Sequence, residues 1–444
     1  MKQLRIIILI IGMILINMPA SGQDYGMSFY RPADFEGLNV FETFRDDMSG
    51  FDGLKVRVGG NFTQQYQSLS HENEAAPNVV NETDVNRLYP LGSGFNLASA
   101  NLNIDVQLED GIRMSLESYM SSRNHPEFWV KGGYIQIDKL PFFGDPLWFE
   151  RHVSVRVGHT MFNYGDQHFR RSDNGRTFHN PFVGNLIMDA FTTEIGGELY
   201  LMPSEGNYFL MLGMTGGLIS GDVREYEHTD KSPSMLAKLG YDEQFSDDLR
   251  FRLSASLYTN AGTTRNTLYA GDRAGSRYYM AMEPEYFINF RAGGAITASN
   301  EANRFTSGRF SPDFTHSLTS VMINPFVKFR GLELFGTYEI SNGTHNAEID
   351  DRSATQLAGE LVYRFLPGER AFLGARYNTV SAGLPGENGD VSIDRIQLSA
   401  GWYTTKNLLV KLEYVNQSYN DFAQGDYRHG GSFNGLVIEA AVAF

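Results

Sequence analysis

In the segment LKVRVGGNF, residues 54 to 62, Leu54, Val56, Val58, Gly60 and Phe62 fall on one side of an extended chain, and Lys55, Arg57, Gly59 and Asn61 on the other. Successive side chains of a strand point to opposite faces, so this dyad predicts a strand with one apolar and one polar face. NLNIDVQL repeats it, with Leu102, Ile104, Val106 and Leu108 opposed to Asn101, Asn103, Asp105 and Gln107. So do VSVRVGHTM, LRFRLSASLY, ERAFLGARYN, DRIQLSAGWY and NLLVKLEY. Two architectures accept such strands: a soluble antiparallel sheet with one wet face, and a transmembrane barrel with lipid outside and water inside. Length separates them. Many of these segments run to about 10–13 residues, near the span of a tilted strand across hydrocarbon, whereas soluble strands average about five or six. The expected fold is all-β, a transmembrane antiparallel up-and-down β-barrel.

The connections have the matching rhythm. Short ones, such as Glu109-Asp110-Gly111, Arg330-Gly331 and Thr404 to Asn407, are rich in turn formers. Between them lie long ones, at residues 67–94, 163–187, 220–233, 262–275, 300–315, 343–353, 382–391 and 419–432. Counting strands this way gives about eighteen, with sixteen as the alternative, since single-chain barrels have even numbers. The count turns on residues 276–299. The last stretch, FNGLVIEAAVAF, puts Leu436, Ile438, Ala440, Val442 and Phe444 on one face. It resembles the C-terminal strand by which outer-membrane barrels are handed to their assembly machinery, and so implies that machinery and outer-membrane lipid as partners. Trp402, Tyr414 and Tyr119 fall near predicted strand ends, where an interfacial aromatic girdle belongs.

The amino terminus reads as an address. Lys2 and Arg5 lead an apolar run from Ile6 to Ile16, followed by Ala20, Ser21 and Gly22. This is the pattern of a secretory signal peptide, residues 1–22, cleaved after Gly22. At about a dozen residues the run is short of the roughly 20 that a permanent helical anchor needs. Residues 23–53 lack alternation and read as a periplasmic or lumenal arm preceding a barrel at 54–444. The chain has no Cys, which removes disulfides, thiolate metal sites and a lipidated N-terminal Cys. A net charge of −15 gives no basic footprint for nucleic acid.

Motifs for catalysis are missing. No nucleophile elbow, zinc-binding helix, Walker loop or dinucleotide fingerprint occurs, and no cofactor or metal is expected. Ser154 and His159 share a predicted strand but lie on opposite faces of it. Charges on the polar faces are numerous: Lys55, Arg57, Arg113, Arg156, Arg250, Arg252, Arg376, Arg395 and Lys411, against Asp105, Glu117, Glu333, Glu339, Glu360, Glu413 and Glu439. On a lipid face a basic side chain costs about 2–4 kcal/mol at the midplane, so these residues are expected to line a wet interior. There they either form opposite walls with a transverse field or neutralise one another as a salt-bridge network.

The stretch VRVGHTMFNYGDQHFRRSDNG resembles the equivalent strand and loop of the phosphate-selective porins and of alginate-export barrels, at Val155, Val157, Gly158, Tyr164, Gly165, Asp166, Arg170 and Arg171. That resemblance implies a passive, substrate-specific outer-membrane channel for small hydrophilic solutes, anions among them, and a homotrimer. Phosphate-selective relatives carry a ladder of Arg and a Lys cluster; here Arg alternates with Glu. The loop FNYGDQHFRRSDNGRTFHNPF, residues 162–182, is the segment such channels fold inward. Asp166, Arg170, Arg171, Asp173 and Arg176 are then the expected constriction, unless the loop lies outside, ordered by its own Arg–Asp pairs. Two other readings stand beside the channel: a structural or docking barrel plugged by residues 23–53, and an outer-membrane hydrolase whose residues meet from different strands.

Overall fold

The computed structural model describes residues 30–42, 51–121, 127–203, 207–218, 231–269, 277–289, 292–300, 303–304, 308–346, 348–387 and 389–444. The expected signal peptide lies outside them. The alternating segments become β1 (Lys55–Glu72), β2 (Ser99–Glu109), β3 (Ile112–Ser121), β4 (Glu127–Ile137), β5 (Val153–Met161), β6 (Thr193–Leu201), β7 (Tyr208–Thr215) and β8 (Ser234–Ser246). They continue as β9 (Leu249–Asn260), β10 (Leu318–Phe329), β11 (Leu332–Gly343), β12 (Arg352–Phe365), β13 (Ala371–Gly383), β14 (Asp390–Thr405), β15 (Leu408–Asn420) and β16 (Ser432–Ala443). Each pairs antiparallel with its neighbours in sequence, and β16 returns to β1.

The expected eighteen strands become sixteen. The sheet contains seventeen, but the two-residue strand Gly94–Phe95 sits outside the ring. Residues 276–299 were the source of the overcount. Within them Tyr286–Asn289 and Ala295–Ala298 are extended, yet they pair only with each other, as a short hairpin inside the long connection from β9 to β10.

Ring closure is staggered. Lys55 to Thr63 of β1 pairs with β2, while Asn61 to Glu72 pairs with β16. At the seam Gly60 and Phe444 exchange both backbone hydrogen bonds, each 3.1 Å long. The terminal residue therefore completes the ladder, leaving no open edge, which backbone in lipid requires.

Polarity is inverted relative to a soluble protein. Leu239, Leu253, Leu361, Leu373, Leu412 and Leu436 are exposed, while Lys238, Arg252, Glu360, Arg376, Lys411 and Glu439, beside them in the same strands, are buried. An apolar outer belt around a charged interior is what lipid outside demands. Trp402 and Tyr414 face outward as a girdle does, but Tyr119 turns inward and is buried against Asp173.

The lumen is filled by chain. Residues 30–42 occupy the mouth at the short-turn end, where the Phe35 N–H donates to the Lys406 carbonyl at 2.9 Å and its ring meets Tyr403 edge-on at 4.8 Å. From the other end the β9–β10 connection reaches inward. Its Leu268, Tyr269, Tyr278, Phe310 and Phe314 join Val183, Ile187 and Met188 in one buried cluster.

Candidate functional site: the lumenal loop and its cavity

β5 ends at Met161, and residues 162–192 then leave the wall and cross the lumen before β6 begins at Thr193. The crossing starts at Gly165, whose φ of 68° opens a turn. It doubles back at Asp173-Asn174-Gly175-Arg176, where Asp173 and Arg176 exchange backbone hydrogen bonds of 2.8 and 2.9 Å. An Asn-Gly pair is the strongest sequence signal for such a two-residue hairpin, and it marks this tip within RRSDNGRT. The tip seats on β1 and β2: the Gly175 N–H donates to Asn101 Oδ1 at 2.8 Å, and the Thr63 hydroxyl donates to the Gly175 carbonyl at 2.7 Å. A Cβ on Gly175 would lie 2.5 Å from the Ala100 Cα, so no larger residue fits there without moving a strand.

An irregular segment inside a protein must find partners for its backbone polar groups. Here the barrel wall supplies them. Lys411 Nζ donates to the carbonyls of Thr177, Asn180 and Phe182 at 3.0–3.1 Å and pairs with Glu439 at 2.6 Å. Arg376 donates to the Gly184 carbonyl and Arg395 to that of Asn185, at 2.8 and 2.7 Å. In the opposite sense, Glu413 accepts the Val183 N–H and Asn378 Oδ1 the Ile187 N–H, both at 2.7 Å.

At the loop's start, Asp166 accepts two hydrogen bonds from Arg252, both 2.8 Å, and pairs with Lys238 at 2.7 Å. Glu42 of the arm completes the group, 2.6 Å from Arg252 and 3.0 Å from Lys238. Burial alone would raise the Asp166 carboxyl, but Lys238 and Arg252 outweigh it and hold the group below the ordinary carboxylate range.

The expected constriction residues divide into two sets. Arg170 and Arg171 are buried: Arg170 lies 3.4 and 3.6 Å from Glu360 and Glu333, and Arg171 binds Asp189 with two hydrogen bonds of 2.9 and 2.6 Å. Asp173 is buried against Lys131. Arg176 alone of the three Arg borders open space, with Glu117 at 3.0 Å. The wall charges divide likewise. Arg252, Arg376, Arg395, Lys411, Glu333 and Glu360 lie buried behind the loop or the arm. Arg250 pairs with Asp242, Lys55 with Asp52, and Arg57 stacks over Tyr30 at 3.8 Å.

Arg113, Glu117 and Arg156 face the space that remains. It is a cavity of 220 Å³ between the inner wall of β2–β6 and the near side of the loop and arm. Its charged lining comprises five cations, Arg31, Arg113, Lys131, Arg156 and Arg176, and three carboxylates, Glu42, Asp105 and Glu117. A second cavity of 20 Å³ shares Tyr30, Asp105, Arg113, Ser115 and Tyr134 with it and reaches Gly111 and Asp138 beside the short turns. Sequence reading missed Arg31 and Lys131. Lys131 interrupts the apolar strand EFWVKGGYIQI, a signal that was there to be used; Arg31 sits in a segment without pattern.

His168 and His179 also line the cavity, and burial followed by Lys238 for the first and Arg31 for the second holds both imidazoles well below their ordinary value. They stay neutral in the folded loop but protonate near pH 6.5 when it unfolds. Their contribution to stability is therefore present above about 6.5 and lost as pH falls below it. Protease resistance of residues 162–192 is expected to drop between pH 7 and pH 5; equal resistance at both would show that these imidazoles titrate normally.

No family model matches this chain, and no curated protein matches it in sequence. Solved structures match it in fold. The anion-selective porin from Comamonas acidovorans superposes with a TM-score of 0.52 at 12% identity, over 88% of this chain and 100% of that one. OmpF of Salmonella typhi, in complex with daunomycin, gives 0.50 at 12% identity, over 88% and 98%. Identities this low speak for the fold alone. The chain has a porin-type barrel, and its apolar belt and closed ring suit the outer membrane.

Proposed function

We propose that this chain is an outer-membrane channel through which small hydrophilic solutes diffuse along an off-centre path, between the β2–β6 wall and the inserted loop. The observation that carries this reading is the asymmetry of the lumen. Arg252, Arg376, Arg395, Lys411, Glu333 and Glu360 of β9–β15 are buried behind the loop or the arm, whereas Arg113, Glu117, Lys131 and Arg156 of β3–β5 border open space. The excess of cations among the lining charges, in a chain of net charge −15, favours anions as the solutes. Residues 1–22 serve as a cleaved export signal, the strand ending at Phe444 is read by the assembly machinery, and the porin-type fold makes a homotrimer the assembly to look for.

Planar-bilayer recording tests this. Folded protein is expected to give small conductance steps with a reversal potential on the anion side under a salt gradient. Arg156→Gln with Arg176→Gln is expected to move that potential toward cations. Absence of conductance steps at every voltage would sink the channel reading and leave the plugged docking barrel, which the filled lumen also favours.

A further inference from the structure

The cations of the cavity are unequally neutralised. Lys131 lies between Glu117 and Asp173, and Arg176 holds Glu117 at 3.0 Å. Arg31 is different: its Nε and Nη2 donate to the carbonyls of Gly37 and Phe169 at 3.0–3.2 Å, and no described carboxylate lies within 4.0 Å of it. Burial, then the neighbouring Arg176 and Arg170, lowers its pKa to about 9. Arg156 reaches Glu198 only at 3.5 Å and Gln136 at 3.2 Å, its Nε–H has no partner among the described residues, and its guanidinium faces the Tyr134 ring at 4.5 Å. Arg31 thus borders the cavity without a carboxylate partner, and Arg156 with only the longer Glu198 and Gln136 contacts. Beside them are the rings of Tyr30, Phe41, Tyr134, Phe169 and Tyr200.

We infer that this cavity is a binding site for a small organic monocarboxylate with a flat apolar body, its carboxylate held by Arg31 and Arg156 and its body laid against the tyrosine and phenylalanine rings. The inference rests on the reading of this cavity as the solute path. A guanidinium offers paired N–H donors that match a carboxylate. Inorganic phosphate suits the site less well because it has no apolar body to lay against the rings of Phe41, Phe169 and the tyrosines. A neutral sugar would leave the Arg31 charge without a carboxylate. At 220 Å³ the cavity falls below the roughly 300 Å³ at which sites for drug-sized ligands begin, so a single-ring acid is the scale that fits.

Isothermal titration of the full folded protein in detergent, with benzoate, inorganic phosphate and glucose as separate probes, tests the site without requiring conduction. Benzoate is expected to bind more tightly than either other probe. Arg156→Gln and Arg31→Gln are each expected to weaken it about tenfold or more, the loss of one charge-assisted hydrogen bond. Heat-modified gel mobility identifies a variant that has not folded, and the other Arg then carries the test. Phosphate or glucose binding as tightly as benzoate overturns the inference, as does benzoate affinity unchanged in a folded variant. Benzoate binding by a protein that passes no current would retain the site and refute the channel; current without benzoate binding would do the reverse.

Discussion

Deleting residues 30–42 is expected to raise single-channel conductance severalfold. A sixteen-stranded ring is wide enough to leave an aqueous channel, so what limits flow here is the chain packed within it. The arm closes the short-turn mouth. Phe41 lies between Phe169 and Phe326, with ring centroids at 5.6 and 5.4 Å, and Tyr30, Arg31, Pro32 and Ala33 border the cavity where it opens toward that mouth. Removal leaves Asp166 to neutralise Arg252 and Lys238, and water enters where Glu42 was. The barrel itself keeps every strand pairing, so folding should survive. Conductance equal to the parent's would mean that the loop alone sets the flow and the arm contributes nothing to it.

Asp166→Asn is expected to be the most damaging single substitution in the lumen. The carboxylate is fully buried and neutralises Arg252 and Lys238 together with Glu42. Removing one partner from a buried ion pair costs about 3–5 kcal/mol, because the remaining charge is left uncompensated. The loss should first appear locally: residues 162–192 detach from β8 and β9 while the ring of strands persists. Protease cleavage within the loop, followed on a gel that still shows the folded barrel, is the measurement. A variant as resistant as the parent would mean that the loop is held by its later contacts, from Thr177 to Met188, without help from this cluster.

Alternation carried the fold because each strand of a barrel meets two solvents, and the sequence of β1 or β15 records both. The count went wrong where that pattern is missing, at Tyr286–Asn289 and Ala295–Ala298, which form a hairpin of their own outside the ring. That the loop folds inward was expected from its resemblance to porin loops, with an external loop as the alternative, but its chemistry was not legible. Arg170, Arg171 and Arg176 look alike in sequence, and only the fold shows that Arg170 braces Glu333 and Glu360, Arg171 binds Asp189, and Arg176 borders open space. Wall residues such as Arg376 and Lys411 were likewise assigned to the polar face and placed there, but what they meet is the backbone of the loop. Long-range partners of an irregular segment leave no periodic trace.

The seam at Gly60 and Phe444 has a consequence for the order of events during biogenesis. A closed ladder of hydrogen bonds has no gap through which a charged segment could later be threaded sideways. Many anchors of the loop, Lys411, Glu413 and Glu439 among them, belong to the last two strands to be delivered. The loop's seat on Lys411, Glu413 and Glu439 is therefore complete only once the carboxy-terminal strands are in place. The strands that close the ring thus also hold the loop's later half in the lumen.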